Sequence, residues 1–304
     1  RRPTELERNY LRSQLKIMLT CEMDKITAEQ LTSWTYDHPG VSRQDFAQCM
    51  LKSGMRNVPV QRCQQMIRRQ CGHFVSDNLK RGCHKFMLAA HGEGPVSDVP
   101  QGFPPVQLYK DCINNVKQNL LKCLPMFKES CVSPKYKVIK LLRADLDFVE
   151  DLMKDWDEVR VIYQTRDPRG TLISRQTGSR QFTPDIKDEA PLLCQKMLRD
   201  IEEFQRLEQK YPGKFLRTSY EQLAKDPIGT TEMIYEFLGM PLPPHIKQWM
   251  HSLTHSNSDG WAFGQNRANS TATAFKWRGI LSKAKKDIID QDCKNVYSKF
   301  GYDL

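Results

Sequence analysis

The stretch from Val159 to Arg175, Val-Arg-Val-Ile-Tyr-Gln-Thr-Arg-Asp-Pro-Arg-Gly-Thr-Leu-Ile-Ser-Arg, constrains the fold more than any other part of the chain. Val159, Val161, Ile162 and Tyr163 form a short apolar, β-branched and aromatic run, which predicts a buried strand. Asp167 suits a helix N-cap, and Pro168 suits the first helical position, where its missing N–H removes no bond. The chain is thus expected to turn from strand to helix almost at once. Such a junction aims backbone N–H groups and the positive helix end at one point, which favours an anion. Arg166 and Arg169 add positive charge there. Gly170 and Ser174 are four residues apart and share a helix face, where an oxygen could approach and a hydroxyl bind it. Junctions that start Asp-Pro also occur in α/β domains that bind nothing, so the local pattern alone leaves both readings open.

The flanking segments place this junction in an α/β fold. Tyr136 to Arg143 alternates like a strand, Asp145 to Trp156 is patterned as an acidic-capped amphipathic helix, and the strand at Val159 follows. Glu189 to Tyr211 carries Leu193, Met197, Ile201, Phe204 and Leu207 on one helical face and is ended by Pro212-Gly213. Phe215 to Tyr220 is another short strand, and Asp226-Pro227 opens a helix closed by Gly239 and Pro241. Strand, helix, strand, helix predicts a parallel sheet flanked by helices, with the junction at the carboxyl end of its strand, where such sheets bind ligands. Before this region, Leu11, Leu15, Met18 and Leu19 predict a helix within Arg1 to Ile26. Residues from Thr27 to Gly82 have weak periodicity. Pro95 to Pro105 is dense in proline and glycine and is expected to be an exposed loop. Tyr109 to Phe127 has helical spacing in Ile113, Val116, Leu120, Leu121 and Leu124.

The chain has 304 residues, a formal net charge of +10 and 10 cysteines. The charge favours anionic partners without choosing among nucleotide, nucleic acid, acidic polysaccharide and membrane surface. Nine cysteines lie at or before Cys194, which predicts a disulfide-bearing N-terminal half, about residues 20–131, in an oxidising compartment. That location argues against nucleic acid. Zinc is a weaker reading of Cys71, His73, Cys83 and His84, since no Cys-x-x-Cys pair exists and the spacings are wide. Asn269-Ser-Thr is the one glycosylation sequon. No run of 18 apolar residues is present.

Arg166-Asp-Pro-Arg-Gly-x-x-x-Ser174 after an apolar strand resembles the 3′-phosphate-binding segment of sulfotransferases that use 3′-phosphoadenosine 5′-phosphosulfate. Phe215-Leu-Arg-Thr-Ser-Tyr-Glu-Gln-Leu-Ala-Lys-Asp-Pro227, Phe237-Leu-Gly-Met-Pro-Leu-Pro243, Asn266 to Ala272 with Lys276-Trp-Arg278, and the ending from Cys293 to Tyr302 occur in the order found in the Golgi carbohydrate 6-O-sulfotransferases. The resemblance covers roughly Cys123 to Leu304. It implies a single sulfotransferase domain with a P-loop-like sulfotransferase fold over residues 1–304, and a 3′-phosphate-binding strand and helix at 159–180. Arg166 and Ser174 would hold the 3′-phosphate, and Asp167, Pro168, Arg169 and Gly170 of the same turn belong to the expected cofactor-binding set. Arg278 is a further nucleotide-binding candidate. Trp277 beside it offers either a stacking face for a nucleotide or a core anchor.

The resemblance further implies sulfuryl transfer, without a metal, to the 6-hydroxyl of a galactose, N-acetylglucosamine or N-acetylgalactosamine in a keratan- or chondroitin-type glycan. The setting it implies is the Golgi lumen, in a type II membrane protein anchored by a segment upstream of Arg1. The family's Arg-x-Gly-Ser-Ser loop for the 5′-phosphosulfate follows no N-terminal strand here and is expected upstream of Arg1. Arg175-Gln-Thr-Gly-Ser-Arg180 imitates it but falls within or just after the helix that starts at Pro168. No residue stands out as the general base. The alternative is a non-catalytic lumenal glycan-binding protein on a degenerate sulfotransferase fold. A kinase-like enzyme is disfavoured, because no Gly-x-x-x-x-Gly-Lys-Ser/Thr cradle occurs.

Overall fold

A computed structural model describes residues 5–25, 121–141, 144–178, 185–260 and 264–303, together with positions 48, 49, 63, 108, 111, 112, 114, 115 and 118. The chain divides into two compact units, residues 2–142 and residues 143–304 with Arg1.

In the first unit, helix α1 spans Glu5–Thr20 and helix α2 spans Leu124–Val132. Leu15 and Ile17 turn inward on α1, and Met23 beyond it is 1% exposed. Cysteine pairs hold these pieces: Cys21–Cys131, Cys49–Cys123 and Cys63–Cys112. Cys21, Cys63 and Cys123 are almost fully buried, so sulfur supplies core here as well as cross-links. The disulfide-bearing N-terminal half expected from the cysteine distribution is present, and no described cysteine is free. Cys71, His73, Cys83 and His84 and the Pro95–Pro105 loop lie outside the described residues.

The strand expected at Tyr136–Arg143 does not form. Its described residues, 136–141, pair with no strand. Val138 is 90% exposed, and Tyr136 and Leu141 are exposed as well. Alternation marks a segment that could lie on a sheet, but a strand also needs a hydrogen-bonding neighbour, and none of the described residues provides one.

In the second unit, strand β1 (Val161–Thr165) and strand β2 (Phe215–Ser219) pair in parallel, with Val161 opposite Phe215 and Thr165 opposite Ser219. Before β1 come a 3₁₀ turn at Leu146–Phe148 and helix α3 (Val149–Asp155). Two helices separate the strands: α4 (Pro168–Gly178) and α5 (Ile186–Lys210). The buried apolar residues of α5 are Ile186, Ala190, Cys194, Met197, Ile201, Phe204 and Leu207, spaced three or four apart, which is one face of a helix, with Asp200 buried beside them. Asp185 caps its start by accepting the Lys187 N–H. Gly213, at φ +74°, turns the chain toward β2.

Helix α5 spans two core clusters. Its N-terminal half packs with Leu172, Ile173, Trp277, Ile289, Val296 and Tyr297. Its C-terminal half packs with Leu146, Val149, Met153 and Phe215, with Val161 and Tyr163 of β1 against them. Strand β1 is thus covered on one face, while Ile162 on the other is 37% exposed. The expected buried strand is half-buried.

After β2 come α6 (Tyr220–Lys225), α7 (Pro227–Phe237), α8 (Pro244–Thr254), α9 (Ser270–Phe275), α10 (Trp277–Ile280) and α11 (Lys283–Phe300). Asp226 caps α7 through the Gly229 N–H, as its Asp-Pro start predicts. Cys194–Cys293 joins α5 to α11.

Candidate functional site

The turn between β1 and α4 is built by Asp167. Its carbonyl accepts the Thr171 N–H at 2.9 Å, and its Oδ1 accepts the Arg169 N–H at 2.9 Å, so it caps the helix as the sequence predicts. Its own N–H donates to Oε1 of Glu221 at 3.1 Å. Glu221 lies on α6, just after β2, so the parallel pairing of the strands brings this carboxyl beneath the turn. Glu221 is 8% exposed and its Oε2 is buried without a partner. Burial pushes its pKa up, although the hydrogen bond from Asp167 acts in the opposite direction.

Arg169 turns inward and is 2% exposed. Its Nε and Nη2 form a fork on Asp167 at 3.0 and 2.7 Å, and Nη2 also donates to the Asp303 carbonyl. Its guanidinium lies 4.7 Å from the ring centre of Trp277 and 4.3 Å from that of Tyr297. Burial works against the charge, but the fork to Asp167 outweighs it and holds the arginine pKa above its ordinary value. Nε and Nη2 of this guanidinium are thus held by the protein itself.

Arg166 is placed differently. Its guanidinium stacks 4.5 Å above the Tyr220 ring, and its Nε is buried without a hydrogen-bond partner. Among the described residues it makes no ion pair. A cation–π contact uses the face of the guanidinium and not its in-plane N–H groups.

Gly170 fills a role that the sequence did not reveal. A Cβ there would stand 2.8 Å from Cδ1 and 3.0 Å from Nε1 of Trp277, and 3.4 Å from Nε of Arg166. The gap expected to admit an oxygen is occupied by an indole. Trp277 is 6% exposed and belongs to the core, which resolves the two readings of this residue in favour of an anchor. Ser174, one turn further along α4, is exposed. Arg278 follows Trp277 on α10, so the indole at Gly170 holds the Arg278 helix against α4. The Arg278 side chain is 51% exposed, stacks on Phe275 at 4.7 Å and stands 3.4 Å from Asp303 Oδ2.

The structure therefore gathers Arg166, Asp167, Pro168, Arg169 and Gly170 into one turn, with Ser174 on its exposed side and Arg278 on the adjoining helix. Arg175, in the sequence that imitates a phosphosulfate loop, lies in the last turns of α4 and pairs with Glu189 at 2.8 Å. Sequence reasoning missed Glu221, Tyr302 and Asp303 as supports of the turn. The Tyr220-Glu221 and Gly301-Tyr302 segments were visible, but nothing in them states where they pack.

A parallel strand-turn-helix with two arginines at the carboxyl end of its strand defines an α/β protein whose turn lies where such sheets bind ligands. Residues 114–301 match the model of the sulfotransferase domain, and the chain belongs to that family. It is similar to carbohydrate sulfotransferase 1 of Rattus norvegicus, 29% identical over 76% of this chain and 59% of the relative. It also resembles carbohydrate sulfotransferase 4 of Mus musculus (25% identical, 58% of this chain, 51% of the relative) and carbohydrate sulfotransferase 3 of Homo sapiens (27%, 58% and 40%). The chain spans about three-fifths of the length of the first of these. No solved structure is significantly similar to it. The helix-rich fold around a parallel sheet agrees with the α/β sulfotransferase expectation.

Proposed function

We propose that this protein transfers a sulfuryl group from 3′-phosphoadenosine 5′-phosphosulfate to a 6-hydroxyl of galactose, N-acetylglucosamine or N-acetylgalactosamine in a keratan- or chondroitin-type glycan, in the Golgi lumen. The β1–α4 turn would hold the donor's 3′-phosphate. The observation that carries this reading is the contrast within the turn: Arg169 points inward and forks onto Asp167, whereas Arg166 stacks on Tyr220 and makes no ion pair among the described residues. Arg166 and the Ser174 hydroxyl are the groups there that can bind a phosphate, and each charge-assisted bond is worth about 1.5–3 kcal/mol. Arg278 would add charge from α10. When bound, the donor supplies an activated sulfuryl group; the chain's residues fix its 3′ end so that the acceptor oxygen can approach sulfur in line with the leaving phosphate.

The test is binding of adenosine 3′,5′-bisphosphate and of adenosine 5′-monophosphate to the full-length protein. Arg166→Ala or Ser174→Ala should weaken the bisphosphate about tenfold or more and leave the monophosphate unchanged. Unchanged bisphosphate affinity in both variants overturns the assignment. Sulfate transfer to a panel of glycans differing in their terminal sugar distinguishes the acceptors.

A further inference from the structure

Residues 301–303 reach back to the β1–α4 turn. Helix α11 ends at Phe300, and Gly301 adopts φ +76°, a left-handed conformation that glycine takes without strain. The N–H groups of Gly301 and Tyr302 both donate to the Tyr297 carbonyl at 2.9 Å, so the chain reverses immediately. Tyr302 then stacks on Phe300, with ring centres 6.0 Å apart, and its hydroxyl donates to Thr165 Oγ1 at 3.2 Å. Thr165 is the last residue of β1, and its own hydroxyl donates to the Thr218 carbonyl of β2 at 3.3 Å. A relay of hydrogen bonds therefore ties the tail to the carboxyl ends of both strands. One residue further, the Asp303 carbonyl receives Arg169, and its carboxylate lies beside Arg278. Burial raises the Tyr302 phenol's pKa, so it remains a donor at neutral pH.

We propose that Gly301–Asp303 is a positioning element of the donor site, acting on Arg166 through Thr165 and on Arg169 and Arg278 through Asp303. The proposal rests on the 3′-phosphate reading of the turn. Arg166 is peptide-bonded to Thr165 and, among the described residues, is held by stacking on Tyr220 and by attraction to Glu221, so its direction follows that of the strand end. Glu221 supports the turn from α6, and the tail supports it from α11.

The experiment measures adenosine 3′,5′-bisphosphate and adenosine 5′-monophosphate affinity, with thermal midpoints, for the full-length protein. The variants are Tyr302→Phe, Thr165→Val, Thr165→Ser, Arg166→Ala and the double variant Tyr302→Phe/Arg166→Ala. Tyr302→Phe and Thr165→Val should each weaken the bisphosphate about threefold to tenfold, the effect of one lost hydrogen bond, with monophosphate affinity unchanged. Thr165→Ser, which keeps the hydroxyl, should bind normally. The double variant should bind no worse than Arg166→Ala alone, because the tail acts through that arginine. Wild-type bisphosphate affinity in Tyr302→Phe, additive loss in the double variant, or equal weakening of both ligands overturns the proposal. If Arg166→Ala itself leaves the bisphosphate unaffected, the 3′-phosphate reading has failed instead.

Discussion

The inner and outer halves of the β1–α4 turn start from similar residues and meet opposite fates. Arg166 and Arg169 are three positions apart, carry the same charge and flank the same aspartate. Arg169 enters the core, where a fork to Asp167 and two aromatic faces replace its water. Arg166 stays at the margin, stacked on one ring with Nε unpaired. A buried guanidinium without full compensation would be very unfavourable, so the inner arginine has to be satisfied by the protein. An outer one can hold binding capacity in reserve. The inner half builds the turn, and on the proposed reading the outer half acts on the donor.

That division is most sharply tested at Arg169. Its replacement by alanine leaves Asp167 buried without a counter-charge and should destabilise the protein by about 3–5 kcal/mol, read from the urea midpoint. Lysine should restore little, since an ammonium cannot make the fork. Arg166→Ala should leave that midpoint close to wild type while reducing bisphosphate affinity. If the two variants behaved alike, the contrast would collapse.

Gly170→Ala comes next. Helix propensity alone favours alanine by about 0.8–1.0 kcal/mol, but the new methyl would meet the Trp277 indole at 2.8 Å. A net loss of about 1 kcal/mol or more is expected, because overpacking typically costs about 1–3 kcal/mol. A stabilised variant would mean that the indole yields easily and is no firm wall of the turn.

Glu221→Gln should act in the opposite direction at neutral pH. A carboxyl whose pKa is raised by folding favours the native state fully only below its ordinary value of 4.5, and that contribution is lost as pH rises through the folded value. Glutamine still accepts the Asp167 N–H and avoids the buried charge. The variant should gain stability at pH 7 relative to wild type, and the gain should disappear below pH 4.5 in thermal scans across pH.

Far from the turn, Glu150 gives the smallest effect. Arg206 and Lys210 donate to it and hold its pKa at about 2. Its contribution is therefore present above pH 4.5 and fades as pH falls toward 2. Glu150→Gln should lower the melting temperature slightly at pH 7, and less in high salt, as a solvent-screened pair requires.

Much of this architecture is legible in the chain. The α5 stripe follows from three- and four-residue apolar spacing. Asp185, Asp226 and Asp167 cap where a short acceptor stands at a helix start, and Gly213, Gly239 and Gly301 all take positive φ at helix ends. These are local consequences of side-chain shape and backbone sterics. The false strand at residues 136–141 failed for the complementary reason, since a ladder partner is a long-range fact. The N-terminal cysteine framework was legible as composition, but its connectivity was not, because spacing does not fix which thiols meet.

By itself the sequence determined a parallel strand-turn-helix with two arginines, an aspartate cap and a glycine, because N-capping, proline geometry and alternating polarity act within a few residues. It did not determine which arginine faces inward. That depended on Trp277 filling the space at Gly170, on Tyr297 and Asp303 closing around Arg169, and on Glu221 and Tyr302 arriving from distant helices. Burial is a property of the packed chain: only when those groups meet does one guanidinium lose water and acquire partners, while its neighbour stays outside any ion pair among the described residues.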